Sequence, residues 1–481
     1  MLTPRFFVFS LGVPALLILA AAFAWLTPIA IVYGLGLAFL LFLDRRTAGT
    51  ITQFKVERLH DQKLSLGVQN KITISISTRS PRPIDLSVRD EPPLLFVVSK
   101  TPPPSPLPEL KEGEQNGTSG TFKASPLTQR GNLAVTFPLL SGTIRPNELL
   151  ELSYHVRPLK RGDFAFGNLN LRWNGPLNFY VRQAKINAAA PVKVYPNLHE
   201  IRAYDLLARR DQLAEIGLRG VRLRGEGTAF ESLRDYTPDD AYRSINWKAT
   251  ARRGKPISTD YEPERSQRVL IAVDIGRMMR SPIRVDDPDG VSWNMAKVDF
   301  VINSILLFSY VATLRGDQVG LLIFADQVQS YYAPSAGRVQ FQRLLEAMYA
   351  LESQPVEADY GRAITFLGVQ NRKRSLVVLF TDLSDSRAGE SLLTHLPRLA
   401  PRHLPLLVTI RDPILGQVAA YQPHDSDTVY QRAVAEQLID ERRLVLENLG
   451  RRGVLTLDVA AEQLTMEVVN RYLQIKARSL I

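Results

Sequence analysis

Two uncharged stretches near the N-terminus constrain this chain more than any other feature of its 481 residues. From Phe6 to Leu26 no side chain is charged, and at 1.5 Å per residue a helix of that length reaches about 30 Å, the thickness of a bilayer core. A second uncharged run extends from Ile29 to Leu43, with Thr27 and Pro28 before it. Proline is tolerated in the first turn of a helix, so the pair reads as a tight transmembrane α-hairpin over residues 1–47. Snorkelling by Arg45 and Arg46 lets the shorter span reach full thickness. Arg5 precedes the hairpin and Arg45-Arg46 follow it. The positive-inside rule then puts both ends, and the whole remainder, on the cytoplasmic side of an inner membrane. The competing reading is a signal peptide with Arg5 as its basic start and Ala20 to Ala22 as its cleavage region; the following apolar run would still hold the product in the membrane.

Beyond the hairpin the composition is that of a folded protein, 45% hydrophobic and 22% charged, which excludes a wholly disordered, collagen-like or coiled-coil chain. The absence of cysteine excludes a disulfide framework, cysteine-ligated zinc, an iron–sulfur cluster and a cysteine nucleophile. The net charge of +11 is unevenly spread, with 36 basic and 24 acidic residues in positions 1–268 against 23 and 24 thereafter. An anionic partner therefore belongs near the N-terminal half, where the hairpin favours a lipid bilayer over nucleic acid.

After Thr50 apolar side chains alternate, as in Lys71-Ile72-Thr73-Ile74-Ser75-Ile76-Ser77, and the pattern recurs at Leu133 to Phe137, Leu152 to Val156 and Leu169 to Trp173. Short alternating strands with turn residues between them predict a β-sandwich over residues 48–190. A Pro-, Ser- and Gly-rich segment over residues 99–132 has too little apolar surface to order itself and reads as a disordered loop.

From residue 265 to 481 strands and helices alternate, which predicts an α/β doubly wound sheet of the Rossmann type. Arg268 to Asp274, Gln318 to Phe324, Ser375 to Thr381 and Leu404 to Ile410 are runs apolar enough to be buried on both faces. Helices are expected at about Trp293 to Leu314, Val339 to Leu351, Asp359 to Gly368 and Glu462 to Arg478. Asp274 ends the first strand and Asp382 follows Ser375 to Thr381. Strand ends of that kind flank the crevice where ligands of such sheets bind, and two carboxylates there suit a hard cation such as Mg or Mn.

These residues resemble a von Willebrand factor A domain, whose metal-ion-dependent adhesion site uses Asp-x-Ser-x-Ser, a later threonine and a further aspartate. Here the first element reads Asp274-Ile275-Gly276-Arg277-Met278, and Ala358 stands at the threonine's place, so only Asp274 and Asp382 carry over, with Asp359 or Glu357 as substitute oxygen ligands. With so few oxygens the ligand count predicts weak binding and no required cofactor. A more specific resemblance, to the bacterial domain-of-unknown-function-58 family, rests on Gly225-Glu226-Gly227-Thr228-Ala229-Phe230-Glu231-Ser232-Leu233-Arg234-Asp235-Tyr236-Thr237-Pro238-Asp239-Asp240 and Arg243-Ser244-Ile245-Asn246-Trp247-Lys248-Ala249-Thr250-Ala251-Arg252, in an interdomain segment spanning 191–264. That resemblance implies a membrane-anchored protein associated with a MoxR-type AAA+ ATPase in a chaperone-like or assembly system, with no established enzymatic activity.

Arg234, Asp240, Arg243, Trp247 and Arg252 are the candidates for partner contacts; the plainer alternative is that these charges pair with one another and fasten the two domains. No phosphate-binding loop motif occurs, so the chain binds no nucleotide of its own. The six histidines have no metal-ligand spacing. Two functional classes follow. One is a membrane-tethered adaptor or scaffold that presents a binding face to a protein. The other is a metal-dependent hydrolase using Asp274, Asp359 and Asp382, against which stands the lack of any nucleophile–base pair.

Overall fold

The computed structural model describes residues 1–23, 25–99, 121–124, 138–197, 199, 201–202, 204–205, 229–237, 242, 245–262, 266–286, 292–383 and 386–478. Of the sequence signals above, Leu133 to Phe137, Gly225 to Thr228, Asp240 and Arg243 lie outside the described residues. The chain divides into two compact units, Met1–Tyr195 and Pro196–Ile481. The division falls after residue 190 because the strand Ala190–Tyr195 completes a sheet of the first unit.

The first unit opens with the apolar helices. The first span is α1 (Pro4–Ser10) and α2 (Gly12–Ala22), and the second is α3 (Leu26–Thr47). Both spans are long and apolar enough to cross a membrane. The turn between them comes earlier than the sequence pattern indicated, because Thr27 and Pro28 already belong to the first turn of α3, where proline's missing N–H has no intrahelical partner to lose.

Both ends of the hairpin are fastened to the β structure that follows. Asp44, fully buried near the end of α3, accepts hydrogen bonds from the backbone N–H groups of Leu177 (2.7 Å), Phe179 (2.9 Å) and Tyr180 (2.8 Å). The indole N–H of Trp173 donates to the Ala48 carbonyl at 2.7 Å. At the other end the Met1 amino group donates to the Val181 carbonyl, and Thr3 caps α1. Gly175 is required here, since a Cβ would lie 2.4 Å from a carboxylate oxygen of Asp44.

The described strands of this unit form one antiparallel sheet ordered β1 (Phe54–Leu59), β3 (Asn70–Thr78), β8 (Leu149–Pro158), β5 (Phe96–Ser99). A second is ordered β11 (Val181–Ile186), β10 (Leu169–Asn174), β4 (Ile84–Arg89), β7 (Pro138–Ile144), β6 (Thr121–Ala124). A smaller sheet joins β2 (Lys63–Ser65), β12 (Ala190–Tyr195) and β9 (Gly162–Phe166). The alternation read in the sequence is the burial pattern: Ile72, Ile74 and Ile76 are fully buried while Lys71 is exposed. Of the segment over residues 99–132 expected to be a disordered loop, residues 121–124 form strand β6 on the edge of β7, and residues 100–120 and 125–132 lie outside the described residues. Between the strands, Arg58 and Asp90 form a buried ion pair, and Tyr154 donates to Asp90 at 2.6 Å.

The second unit begins with a two-stranded sheet, β13 (Ala229–Asp235) with β14 (Ile257–Glu262), enclosing α4 (Trp247–Arg253). Then comes a mixed sheet. Its described strands run in the order β19 (Val328–Ser335), β18 (Gln318–Phe324), β15 (Arg268–Asp274), β20 (Leu376–Thr381), β21 (Leu404–Arg411), β22 (Leu455–Ala460), parallel throughout except for β19. A β-hairpin, β16 (Pro282–Asp286) with β17 (Ser292–Ala296), precedes α5 (Lys297–Leu314). The pairing of β17 explains why that helix starts four residues later than its apolar pattern did. α5 is also long and apolar enough to span a membrane, but most of it is buried within the unit against β18, α6 (Arg338–Tyr349) and α11 (Leu464–Ala477).

One face of the sheet, including Leu270, Ala272, Val377, Leu379 and Leu407, packs on α7 (Tyr360–Gln370), α8 (Ser386–His395) and the C-terminal part of α10 (Ser426–Arg451). Helix α8 and the short α9 (Pro413–Ala420) were not anticipated. Both are short, 10 and 8 residues, each holds a glycine, and α9 buries none of its residues.

Candidate functional site

β15 and β20 are parallel neighbours at the sheet centre, and the chain continues from β15 to β18 on one side and from β20 to β21 on the other. Their carboxyl ends therefore flank the crevice where connections part to opposite faces, the usual ligand position in an open sheet. Asp274 and Asp382 stand there, exposed by only 2% and 0%.

Asp274 is held by the loops around it. One carboxylate oxygen accepts from the Gly276 N–H at 2.7 Å; the other accepts from the Thr381 hydroxyl at 2.6 Å and the Tyr360 hydroxyl at 3.0 Å. A Cβ on Gly276 would lie 2.9 Å from the Val356 carbonyl oxygen, so glycine lets residues 275–277 meet the 354–358 loop. The Arg277 N–H to Val356 carbonyl and Gln354 N–H to Ile275 carbonyl bonds, both 2.7 Å, lock that meeting. Burial raises the Asp274 carboxyl above its ordinary value, against the opposing pull of the Thr381, Gly276 and Tyr360 hydrogen bonds. Burial likewise raises the Tyr360 phenol well above its usual range. Tyr360 and Thr381 also lie 2.8 Å apart, oxygen to oxygen. Asp274, Tyr360 and Thr381 thus form a triangle of oxygens joined by the two hydroxyl protons.

Asp382 has a different environment. The ammonium of Lys297, itself only 2% exposed, lies 2.7 Å from one oxygen, and the Arg442 guanidinium lies 3.4 Å from the other. Arg442 continues to Asp458 at 2.6 Å and the Ile410 carbonyl at 2.8 Å, and Asp458 meets Arg411 at 3.4 Å. Alternating charges therefore run across the carboxyl ends of β20, β21 and β22. Lysine at the first position of a helix opposes the helix dipole, and its place is accounted for by Asp382. Sequence reasoning missed Lys297, Arg442 and Asp458; with the helix read from Trp293, Lys297 lay beyond its first turn and gave no signal.

The third proposed ligand does not join the other two. Asp359 caps α7, accepting from the Arg362 N–H at 2.9 Å, and pairs with the Arg362 guanidinium at 3.1 Å. Glu357 pairs with Arg277 at 3.2 Å, both exposed. Among the described residues no group of three or more His, Cys, Asp or Glu side chains is arranged to hold a metal ion. The donor set does not fit a hard cation: one carboxylate faces two cations, one faces hydroxyls, and the third faces its own helix.

Above Asp274 opens a cleft of about 220 Å³, with Asp274 and Tyr360 in its buried lining and Arg277, Glu357 and Arg387 in its exposed lining. The partner-contact candidates belong to the β13–β14–α4 element. Arg234 donates to the Asp235 carbonyl at 3.5 Å. Trp247 is 59% exposed and meets the Tyr242 ring edge-on at 5.6 Å, and Arg252 is exposed in the last turn of α4.

Residues 232–440 match the family model described as "Protein of unknown function DUF58". A relative, the uncharacterized protein YeaD of Bacillus subtilis strain 168, is 24% identical over 125 residues, which cover 26% of this chain and 31% of that protein. Solved structures overlap it only loosely. Proximal thread matrix protein 1 from the mussel byssus, at 10% identity, aligns over 43% of this chain and 46% of that one with a TM-score of 0.25. The CARDB domain of a Pyrococcus furiosus protein, at 10% identity, aligns over 29% and 86% with a TM-score of 0.17.

Proposed function

We propose that this chain is a membrane-anchored, cytoplasm-facing adaptor that binds a protein partner through the carboxyl edge of its mixed sheet. The observation that carries this reading is the buried Lys297–Asp382–Arg442 arrangement. Acid–base or metal-assisted hydrolysis needs a carboxylate free to act on substrate or metal, whereas here Asp382 is enclosed by the protein's own cations and Asp274, in the cleft lining, already accepts from Gly276, Thr381 and Tyr360. Groups held in this way rigidify a surface. The 220 Å³ cleft beside them, with two arginines and a glutamate in its exposed lining, is of a size to receive one or two side chains of a partner.

The mixed sheet with aspartates at adjoining strand ends supports a von Willebrand factor A-like reading of the domain. The two apolar helices and the flanking Arg5, Arg45 and Arg46 support an anchor in a cell inner membrane with both ends in the cytoplasm. The partner that the family resemblance implies is a MoxR-type AAA+ ATPase. Capture of that ATPase by the full-length chain in native membranes tests the reading. Arg387→Glu, an exposed change in the cleft lining, should reduce capture by at least about tenfold, the equivalent of about 1.4 kcal/mol. Equal capture by both forms would refute the assignment of the contact to this edge.

A further inference from the structure

Helix α8 has a second side. Arg387, Ala388 and Ser391 line the cleft above Asp274, while Gly389 and Glu390, on the opposite face of the helix, line a larger groove of about 540 Å³ shared with α9 and α10. That volume is within the range of ligand-binding pockets. Leu383, Leu415, Leu438, Leu444 and Val445 supply its apolar lining. Leu438 and Leu444 are 37% and 55% exposed, and within α10 only Ala435 and Leu449 are buried. A glycine at 389 sets how closely α8 and α10 approach, since a Cβ there would lie 3.0 Å from Val445.

The charged residues around the groove are of one effective sign. Glu390, Asp412 and Glu441 carry carboxylates, and the single cation among the described lining residues, Arg442, is directed to Asp382, Asp458 and the Ile410 carbonyl. Glu441 accepts from the neutral amide of Gln437, and Asp412 lies 4.0 Å from Lys297, which is already closer to Asp382. The groove thus joins a leucine-lined floor to an acidic rim. We propose that it docks an amphipathic helical segment of a protein partner, with apolar side chains filling the floor and flanking lysines or arginines meeting Glu390, Asp412 and Glu441. The proposal rests on the adaptor reading only in taking the occupant to be protein; its surface is distinct from the cleft above Asp274.

The test uses the full chain in nanodiscs of zwitterionic lipid and two fluorescent peptides about 18 residues long, about five helical turns. Both carry leucines at helical spacing; one is flanked by lysines, the other by glutamates at the same positions. Anisotropy is read against empty nanodiscs. The lysine peptide should bind the wild type at least about tenfold more tightly than the glutamate peptide, Leu438→Asp should abolish the binding of both, and the Glu390→Lys, Glu441→Lys double variant should reverse their order. Arg387→Glu should leave peptide binding unchanged while lowering ATPase capture, so that the two readings fail separately. Equal affinities for the two peptides, indifference to Leu438→Asp, or binding no greater than to empty nanodiscs would overturn the proposal. So would self-association that Leu438→Asp abolishes without any peptide binding, which would assign the groove to a second copy.

Discussion

Replacing Lys297 with methionine removes the ammonium beside Asp382 and keeps a side chain of similar reach. The two groups are 2% and 0% exposed and 2.7 Å apart. Deleting one partner of such a buried pair costs about 3 to 5 kcal/mol, because the remaining charge keeps its desolvation penalty and loses its counter-charge. Arg442 remains, but at 3.4 Å and shared with Asp458, so it moderates the loss without removing it. The expected cost is therefore about 3 kcal/mol, at the lower end of that range. For a unit the size of Pro196–Ile481, each kcal/mol corresponds to about 2 to 4 °C, so the midpoint should fall by about 6 to 12 °C. Thermal unfolding of the detergent-solubilised full chain, followed by tryptophan fluorescence, gives this number. The decisive comparison is the Lys297→Met, Asp382→Leu double variant, which removes both charges and should regain most of the loss. A single variant within about 2 °C of wild type, or a double variant less stable than the single, would refute the claim that the pair organises this edge.

Asp274 makes a prediction of opposite sign to that for an ordinary ion-paired carboxylate. Its native carboxyl is raised by burial, so the native state holds its proton more tightly than the unfolded state does. The stability it contributes is present below the ordinary carboxyl value and is lost as pH rises from there through the raised value. Asp274→Asn should flatten the unfolding midpoint against pH above about 4, the ordinary carboxyl value, and an unchanged slope would exclude Asp274 as its source. Asp44→Ala leaves three backbone N–H groups without their acceptor, a loss of at least about 3 kcal/mol at the usual cost per buried donor. Hydrogen exchange at Leu177, Phe179 and Tyr180 should accelerate; retained protection there would show that the hairpin is held by other contacts.

Which parts of this protein were legible in its sequence follows from the range over which each signal acts. The two N-terminal apolar helices, the alternating strand β3 and the doubly buried strands β15 and β20 are written in the spacing of apolar side chains, a local property that exposes itself within one element. The position of Asp274 and Asp382 at strand ends was legible for the same reason, since a strand's end is where its apolar run stops. Their chemistry was not. Lys297 and Asp382 are 85 residues apart, Arg442 and Asp382 are 60 apart, and Asp44 meets its three N–H donors across more than 130 residues. No pattern within one element encodes such pairings. Asp359 shows the converse: its carboxylate caps its own helix and pairs with Arg362, both purely local contacts. Solvation and apolar periodicity thus determined the elements and their order, while packing alone decided which charges were buried together, because a buried charge is stable only beside the counter-charge that the whole fold brings to it.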